Sequence, residues 1–282
     1  MLTAILRHTS GFYRGIFFAP FIEALGIAAA TERQMSDYTT LYAGEDDHGP
    51  LLVMEDKEVR LLSFGDNDEQ SKLHKSALHV PMHTYLQAML LVLLFIKPKR
   101  VIILGLGGGG LIHALRNFDR GINITAVELR EAVIEVAKRY FWLPLGKKLN
   151  LIHQDANEFL TEANHKKADV IFADIYHGDG VDEQQLSETF IANAAGLLKA
   201  EGYLVLNCWK EHSRNTALLT QLEQHFCDVR ACLTGGGNWV VLAGKQVRQI
   251  SASGLKAEAQ QLSQQLDFPL SRSLTRFEPW ES

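Results

Sequence analysis

The sequence predicts an α/β fold in which a doubly wound, mostly parallel sheet ends in a C-terminal antiparallel hairpin and follows a small N-terminal β unit. Three observations carry that prediction. Five short apolar runs, at 101–104, 122–127, 149–153, 170–173 and 203–206, alternate with helical or loop sequence. Continuous apolar strands spaced by helices mark a parallel sheet covered on both faces. A glycine run, Gly105-Leu106-Gly107-Gly108-Gly109-Gly110, follows directly on the first of these strands, and an acid, Glu128, closes the second, 23 residues after Gly105.

Taken in order, segment 1–70 holds strand-like runs at 38–42, 51–54 and 59–64. Polar turns at Gly44-Glu45-Asp46-Asp47 and Glu55-Asp56-Lys57 separate them, which suggests a small antiparallel unit. From 68 to 96 the spacing suits helix with one break near Pro81, and it stops at Lys97-Pro98-Lys99. A helical connector over 71–100 is therefore expected. The main domain is assigned to 101–250, its strands joined by right-handed crossovers. Within it, 111–117 and 187–199 read as helices, with Glu201-Gly202 closing the second. The runs 231–233 and 239–243 flank Thr234-Gly235-Gly236-Gly237-Asn238 and read as the hairpin. Residues 251–282 suggest a terminal helix and an irregular tail.

The 282 residues are 46% apolar and 22% charged, enough to build a buried core. A net charge of −5 without a Lys/Arg-dense stripe argues against a nucleic-acid partner. Cys208, Cys227 and Cys232 form no CxxC pair, so neither a disulfide framework nor a zinc site is suggested. His74, His79 and His83 read as structural or exposed, and no metal is expected. The apolar stretches 15–30 and 86–96 fall short of the roughly 20 residues a membrane span needs. A cytoplasmic location without a membrane partner is the expectation.

Glycine lacks a Cβ, so Gly105, Gly107, Gly108 and Gly109 let the chain turn off a strand and let a ligand approach the backbone. An acid about 20 residues later, at the end of the next strand, is placed to bind ribose hydroxyls, and Glu128 fits. The pattern is Rossmann-like and points to a bound nucleoside. Asp155, followed by Ala156, ends the third strand, where a group can meet an adenine edge; capping of the next helix is the competing reading. The fourth strand delivers Asp174, Tyr176, His177 and Asp179 to a loop outside its carboxyl end, where ligands bind in such sheets. Asp174 is the catalytic candidate, able to hold an ammonium or take a proton from an attacking amine. A capping carboxylate is the alternative.

These residues resemble the spermidine synthase family of aminopropyltransferases over 36–245. The similarity is carried by the segment 101–110, Val127-Glu128, Asp155, Ala168-Asp169-Val170 to Asp174, the run 197–206 and Gly237-Asn238-Trp239. The resemblance implies a Rossmann-like class I methyltransferase fold and a homodimer. It implies Glu128 on the ribose, Asp155 near the adenine and Asp174 as the acid-base residue. Departures concentrate in the other half of the site. Gly108 stands where the family has Asp, His177 replaces a loop carboxylate, Thr39 replaces a Gln, and Leu73-His74-Lys75 replaces Tyr-His-Glu. The form of the loop, with Asp174-Ile175-Tyr176 and Asn207, looks like a divergent spermidine synthase-like branch. The implied activity is aminopropyl transfer from decarboxylated S-adenosylmethionine to a small-molecule amine, with Tyr176 or His177 placing the acceptor. Methyl transfer from S-adenosylmethionine to another small acceptor, and a non-catalytic nucleoside-binding homologue, are the alternatives.

Overall fold

The computed structural model describes residues 38–65, 69–162, 164–177, 180–181 and 183–281. The apolar stretch 15–30, Ser36, Asp37, Asp179, Asp182 and the side chain of His177 lie outside the described residues.

The first apolar run becomes β5 (Arg100–Leu104), followed by β6 (Asn123–Glu128), β7 (Leu149–His153), β8 (Ala168–Ala173) and β11 (Leu198–Trp209). All pair in parallel, with β6 and β7 on one side of β5 and β8 and β11 on the other. The chain therefore reverses direction across the sheet between β5 and β8, and the crevice outside their carboxyl ends is the topological switch point. Two-residue strands β9 (Tyr176–His177) and β10 (Gly180–Val181) pair with each other between β8 and β11, and β12 (Asp228–Leu233) and β13 (Asn238–Gly244) form the expected hairpin, with β13 antiparallel to β11.

Side chains alternate along these strands between two cores. Val101, Ile103, Val170, Phe172 and Val205 face one, while Ile102, Leu104, Ile171, Ala173, Leu204 and Leu206 face the other. The first face is covered by α1 (Thr84–Met89), a 3₁₀ turn (Leu90–Leu94), α2 (Gly110–Phe118) and α7 (Ala252–Leu266). The second is covered by α4 (Ala156–Thr161), α5 (Glu188–Leu197) and α6 (Thr216–Glu223). Every residue of β8 is buried, which explains why its sequence reads as an unbroken apolar run. No described helix is long and apolar enough to cross a membrane.

Ahead of this sheet, β1 (Thr39–Asp46), β2 (Gly49–Glu55), β3 (Val59–Ser63) and β4 (Glu69–His74) make a four-stranded antiparallel sheet. Leu51, Val53, Leu62 and Leu73 pack there against Val133, Val136 and Phe141, which belong to or directly follow α3 (Glu131–Tyr140).

Three sequence expectations change. Segment 69–74 is strand rather than helix, because it pairs with β3 and buries Leu73 in that core. The turn expected at Gly44 to Asp47 shifts, since β1 runs on to Asp46 and closes on Gly49. The tail after α7 is ordered: α8 (Ser271–Leu274) leads into β14 (Phe277–Pro279), which pairs with β12 at the sheet edge. Trp280 sits edge-on to Trp239, with ring centroids 5.6 Å apart, and anchors that strand.

Candidate active site

The glycine loop leaves β5 with left-handed backbone at Gly105 (φ 91°), Gly107 (φ 51°) and Gly109 (φ 78°), a conformation that side chains other than glycine's rarely adopt. Space reinforces conformation. A Cβ on Gly105 would run into the carbonyl of Asp174, and one on Gly109 into Leu143. Gly108 faces away from the crevice. Its N–H donates to Ser71 Oγ at 2.9 Å, and a Cβ there would meet Phe141 at 2.8 Å. The space a side chain at 108 would need is thus held by Phe141 and Ser71.

Glu128, the last residue of β6, accepts from Leu106 N through Oε2 (2.9 Å) and from Arg130 N through Oε1 (3.0 Å). Burial pushes its carboxyl above the usual range, and the backbone donors and the Arg130 charge draw it part of the way back. Arg130 pairs with Asp46 at 2.9 Å and donates to Gly49 O at 2.8 Å, tying the β1–β2 turn to the end of β6. Asp155 caps α4, accepting from Asn157 N (2.8 Å) and Glu158 N (3.1 Å) through Oδ1. Capping and cavity lining coexist at this residue.

One cavity of about 720 Å³ spans the switch point. Gly105, Gly107, Gly109, Glu128, Asp155, Ala156, Asp174 and Tyr176 all line it, whereas Gly108 does not. Among the described residues no cluster of His, Cys, Asp and Glu could hold a metal ion. His74 and His79 turn to Ser76 and Asp267, and His83 stacks on Tyr85.

Asp174 follows β8, its N–H held by Leu104 O at 2.9 Å. Its Oδ1 accepts from Asn207 Nδ2 at 2.8 Å, and the Tyr85 hydroxyl donates to the same carboxylate. Burial pushes Asp174 up to about 6 against these two donors. Asn207 is wholly buried, and its Oδ1 accepts from Asn238 Nδ2 at 3.1 Å. The same amide donates to the Tyr176 hydroxyl at 3.3 Å. Burial first, and the nearby Asp174 charge second, keep the Tyr176 phenol protonated. Beneath them Gln185, also wholly buried, donates to Asn207 O at 3.2 Å and Ile175 O at 3.4 Å, fastening β11 to the end of β8.

Tyr85, Asn238, Gln185 and Ser71 were not among the expected site residues. Tyr85 and Ser71 fall in the stretch read as helical connector, and Asn238 in a turn. Asn207 carries a signal in retrospect, as an amide within a run of buried apolar residues. This arrangement can seat a nucleoside against the glycine loop and Glu128, and can offer a carboxylate of raised pKa to a group beyond it.

Known proteins place the chain. It is 26% identical over 188 residues to a polyamine aminopropyltransferase from Neisseria meningitidis, covering 66% of this chain and 71% of the relative. A probable spermidine synthase from Corynebacterium glutamicum superposes with a TM-score of 0.67 at 15% identity, covering 80% of this chain and 86% of the other. Human methyltransferase-like protein 13, in complex with SAH, superposes with a TM-score of 0.60 at 20% identity over 66% of this chain and 94% of the other. The two structures establish a shared fold, the Rossmann-like class I arrangement. The spermine/spermidine synthase domain matches residues 71–234, more than half of the chain, and the chain belongs to that family.

Proposed function

We propose that the protein transfers an aminopropyl group from decarboxylated S-adenosylmethionine to a small amine. The observation that carries the proposal is Asp174, a carboxylate with a pKa of about 6 in the same cavity as the glycine loop and Glu128. Membership of the family and the similarity to a polyamine aminopropyltransferase support it.

In this reading the adenosine lies on Gly105, Gly107 and Gly109, Glu128 accepts from the ribose hydroxyls, and Asp155 with Ala156 borders the adenine. Asp174, ionised near neutral pH, holds the incoming ammonium and takes a proton from it. The freed nitrogen lone pair attacks the aminopropyl carbon beside the sulfonium. A carbon–nitrogen bond forms, the carbon–sulfur bond breaks, and its electron pair stays on sulfur to give neutral methylthioadenosine. Tyr85 and Asn207 fix the carboxylate, and Tyr176 stays neutral to place the acceptor. Collapse of the sulfonium charge on transfer needs no further cofactor.

Methyl transfer from S-adenosylmethionine is the second reading. It is favoured by the glycine loop, residues 105–110, carrying no carboxylate, since a carboxylate there would repel the donor's own. Calorimetric titration with both donors and with methylthioadenosine, repeated on Glu128→Ala, separates the two. Tighter binding of the decarboxylated donor, lost in the variant, is the expected result, and preference for the carboxylated donor would favour methyl transfer. A homodimer is the proposed assembly, and light scattering on the eluting protein tests it.

A further inference from the structure

Two side-chain amides on neighbouring strands stand between the hairpin turn and Asp174. In the pairing of β11 with β13, Asn207 lies opposite Val240 and Asn238 opposite Trp209, so the two asparagines are diagonal neighbours on one face. Asn238 Nδ2 donates to Asn207 Oδ1 at 3.1 Å, and Asn207 Nδ2 donates in turn to Asp174 Oδ1 at 2.8 Å. The bonds run in one direction, from the turn to the carboxylate.

An asparagine side chain can present its oxygen or its nitrogen to a neighbour, and only the nitrogen stabilises an ionised carboxylate. Asn207 is wholly buried, so the wrong face would leave its oxygen against Asp174 with no water between them. Its orientation is fixed from the other end. Asn238 donates both to Asn207 Oδ1 and to the Tyr176 hydroxyl, the latter at 3.3 Å, so its own amide is engaged on both sides. The backbone of Asn238 is held by Thr234: Asn238 N donates to Thr234 Oγ1 at 3.1 Å, and Thr234 N donates to Asn238 O at 2.9 Å. Gly237, with φ 87°, makes the turn that permits this closure.

We propose that Asn238 is a positioning residue of the site, turning the Asn207 amide so that its nitrogen, not its oxygen, meets Asp174 and readies that carboxylate for the incoming amine. The catalytic part of this rests on the aminopropyl-transfer reading. Other groups face Asp174 from the elements round it. Tyr85 donates to it from α1, with His83 stacked on that ring and Glu69 of β4 near it. Tyr176 lies close by, with the Cys208 thiol beyond it, and burial keeps both protonated. Burial also holds His83 below the usual histidine range, and Glu69 pairs with Lys72 at 3.1 Å. Asp179, Asp182 and the side chain of His177 lie outside the described residues. All of these groups are the same in every protein compared, so a difference between variants reports the amides.

The test reads the carboxylate directly. The full chain is labelled with carbon-13 at the aspartate carboxyl carbons, the Asp174 signal is identified by its loss in Asp174→Asn, and its titration is followed by NMR. Asn238→Ala is expected to raise the midpoint from about 6 by about 0.5–1 pH unit, the scale of one hydrogen bond. In an Asn207→Ala background the same substitution is expected to leave the midpoint unmoved, because Asn238 acts through Asn207. Asn207→Leu, which keeps more of the volume, supplies that background if Asn207→Ala does not fold. The pH inflection of kcat/KM should move with the midpoint. A midpoint unmoved in Asn238→Ala, or moved equally with and without Asn207, would overturn the inference. If the midpoint moves through Asn207 while the rate inflection stays, the acid-base reading of Asp174 fails and the positioning of its carboxylate stands. If no aminopropylated amine forms at all, aminopropyl transfer fails and the same titration still decides the positioning.

Discussion

Asn207 donates its side-chain amide to Asp174 across 2.8 Å, from one parallel strand to the end of its neighbour. The bond is short-range in space and long-range in sequence, and it sets the chemistry of the site. Burial raises the Asp174 pKa to about 6, and without Asn207 and Tyr85 it would rise further. The result is a carboxylate that is ionised at neutral pH with an amide and a hydroxyl, rather than a cation, as its partners. Such a group can still take an ammonium.

Asp174→Asn is expected to cut turnover by about 10²–10⁴-fold while leaving methylthioadenosine binding intact. The same variant should be more stable at pH 8. The folded pKa of about 6 exceeds the ordinary 3.8, so the folded chain holds this proton more tightly. That contribution is full below pH 3.8 and is lost as pH rises through about 6. An amide carries no charge to bury, and the gain is at most about 3 kcal/mol. Denaturant melts of both proteins at pH 8 and pH 4 check the sign, since the difference should shrink at the lower pH.

The pH dependence of kcat/KM should rise with an inflection near pH 6 as Asp174 ionises. Asn207→Ala removes a donor to the carboxylate, so its inflection should move to higher pH. Initial rates between pH 5 and pH 8, with acceptor limiting, report both. An inflection unmoved by that substitution would dissociate the bond from the acid-base group.

Glu128→Ala should weaken methylthioadenosine binding by about 10- to 100-fold, the scale of losing hydrogen bonds to a charged group. Calorimetry at constant pH measures it. Part of the loss would come from the loop itself, because Leu106 N and Arg130 N would be left without their acceptor.

Two glycines give opposite outcomes. Gly105→Ala forces a side chain into left-handed backbone and against the Asp174 carbonyl, so it should lose about 1–3 kcal/mol of stability and most nucleoside binding. Gly196→Ala, in α5 with nothing near its Cβ, should gain about 0.5–1 kcal/mol and leave binding unchanged. Thermal melts with and without methylthioadenosine distinguish them.

The parallel strands, the glycine loop, Glu128 and the hairpin were legible because each is a local pattern. An apolar run of five or six residues, a glycine cluster and an acid at a fixed spacing all survive translation into structure. Strand β4 was not legible, since Leu73 is the one apolar residue among its six and only pairing with β3 makes it a strand. The edge strand β14 is three residues long and is defined by its partner β12. Tyr85 and Asn238 reach Asp174 and Tyr176 from elements far away in sequence, and no periodicity encodes such a meeting. At Asp155 the capping reading is met through Oδ1, and the residue lines the cavity as well.

The measurement closest to the central claim is the release of methylthioadenosine when the purified protein is incubated with decarboxylated S-adenosylmethionine and a panel of amines, followed by chromatography. Methylthioadenosine together with an aminopropylated amine, absent in Asp174→Asn, is the expected result. A methylated product from S-adenosylmethionine, with the decarboxylated donor left intact, would contradict it.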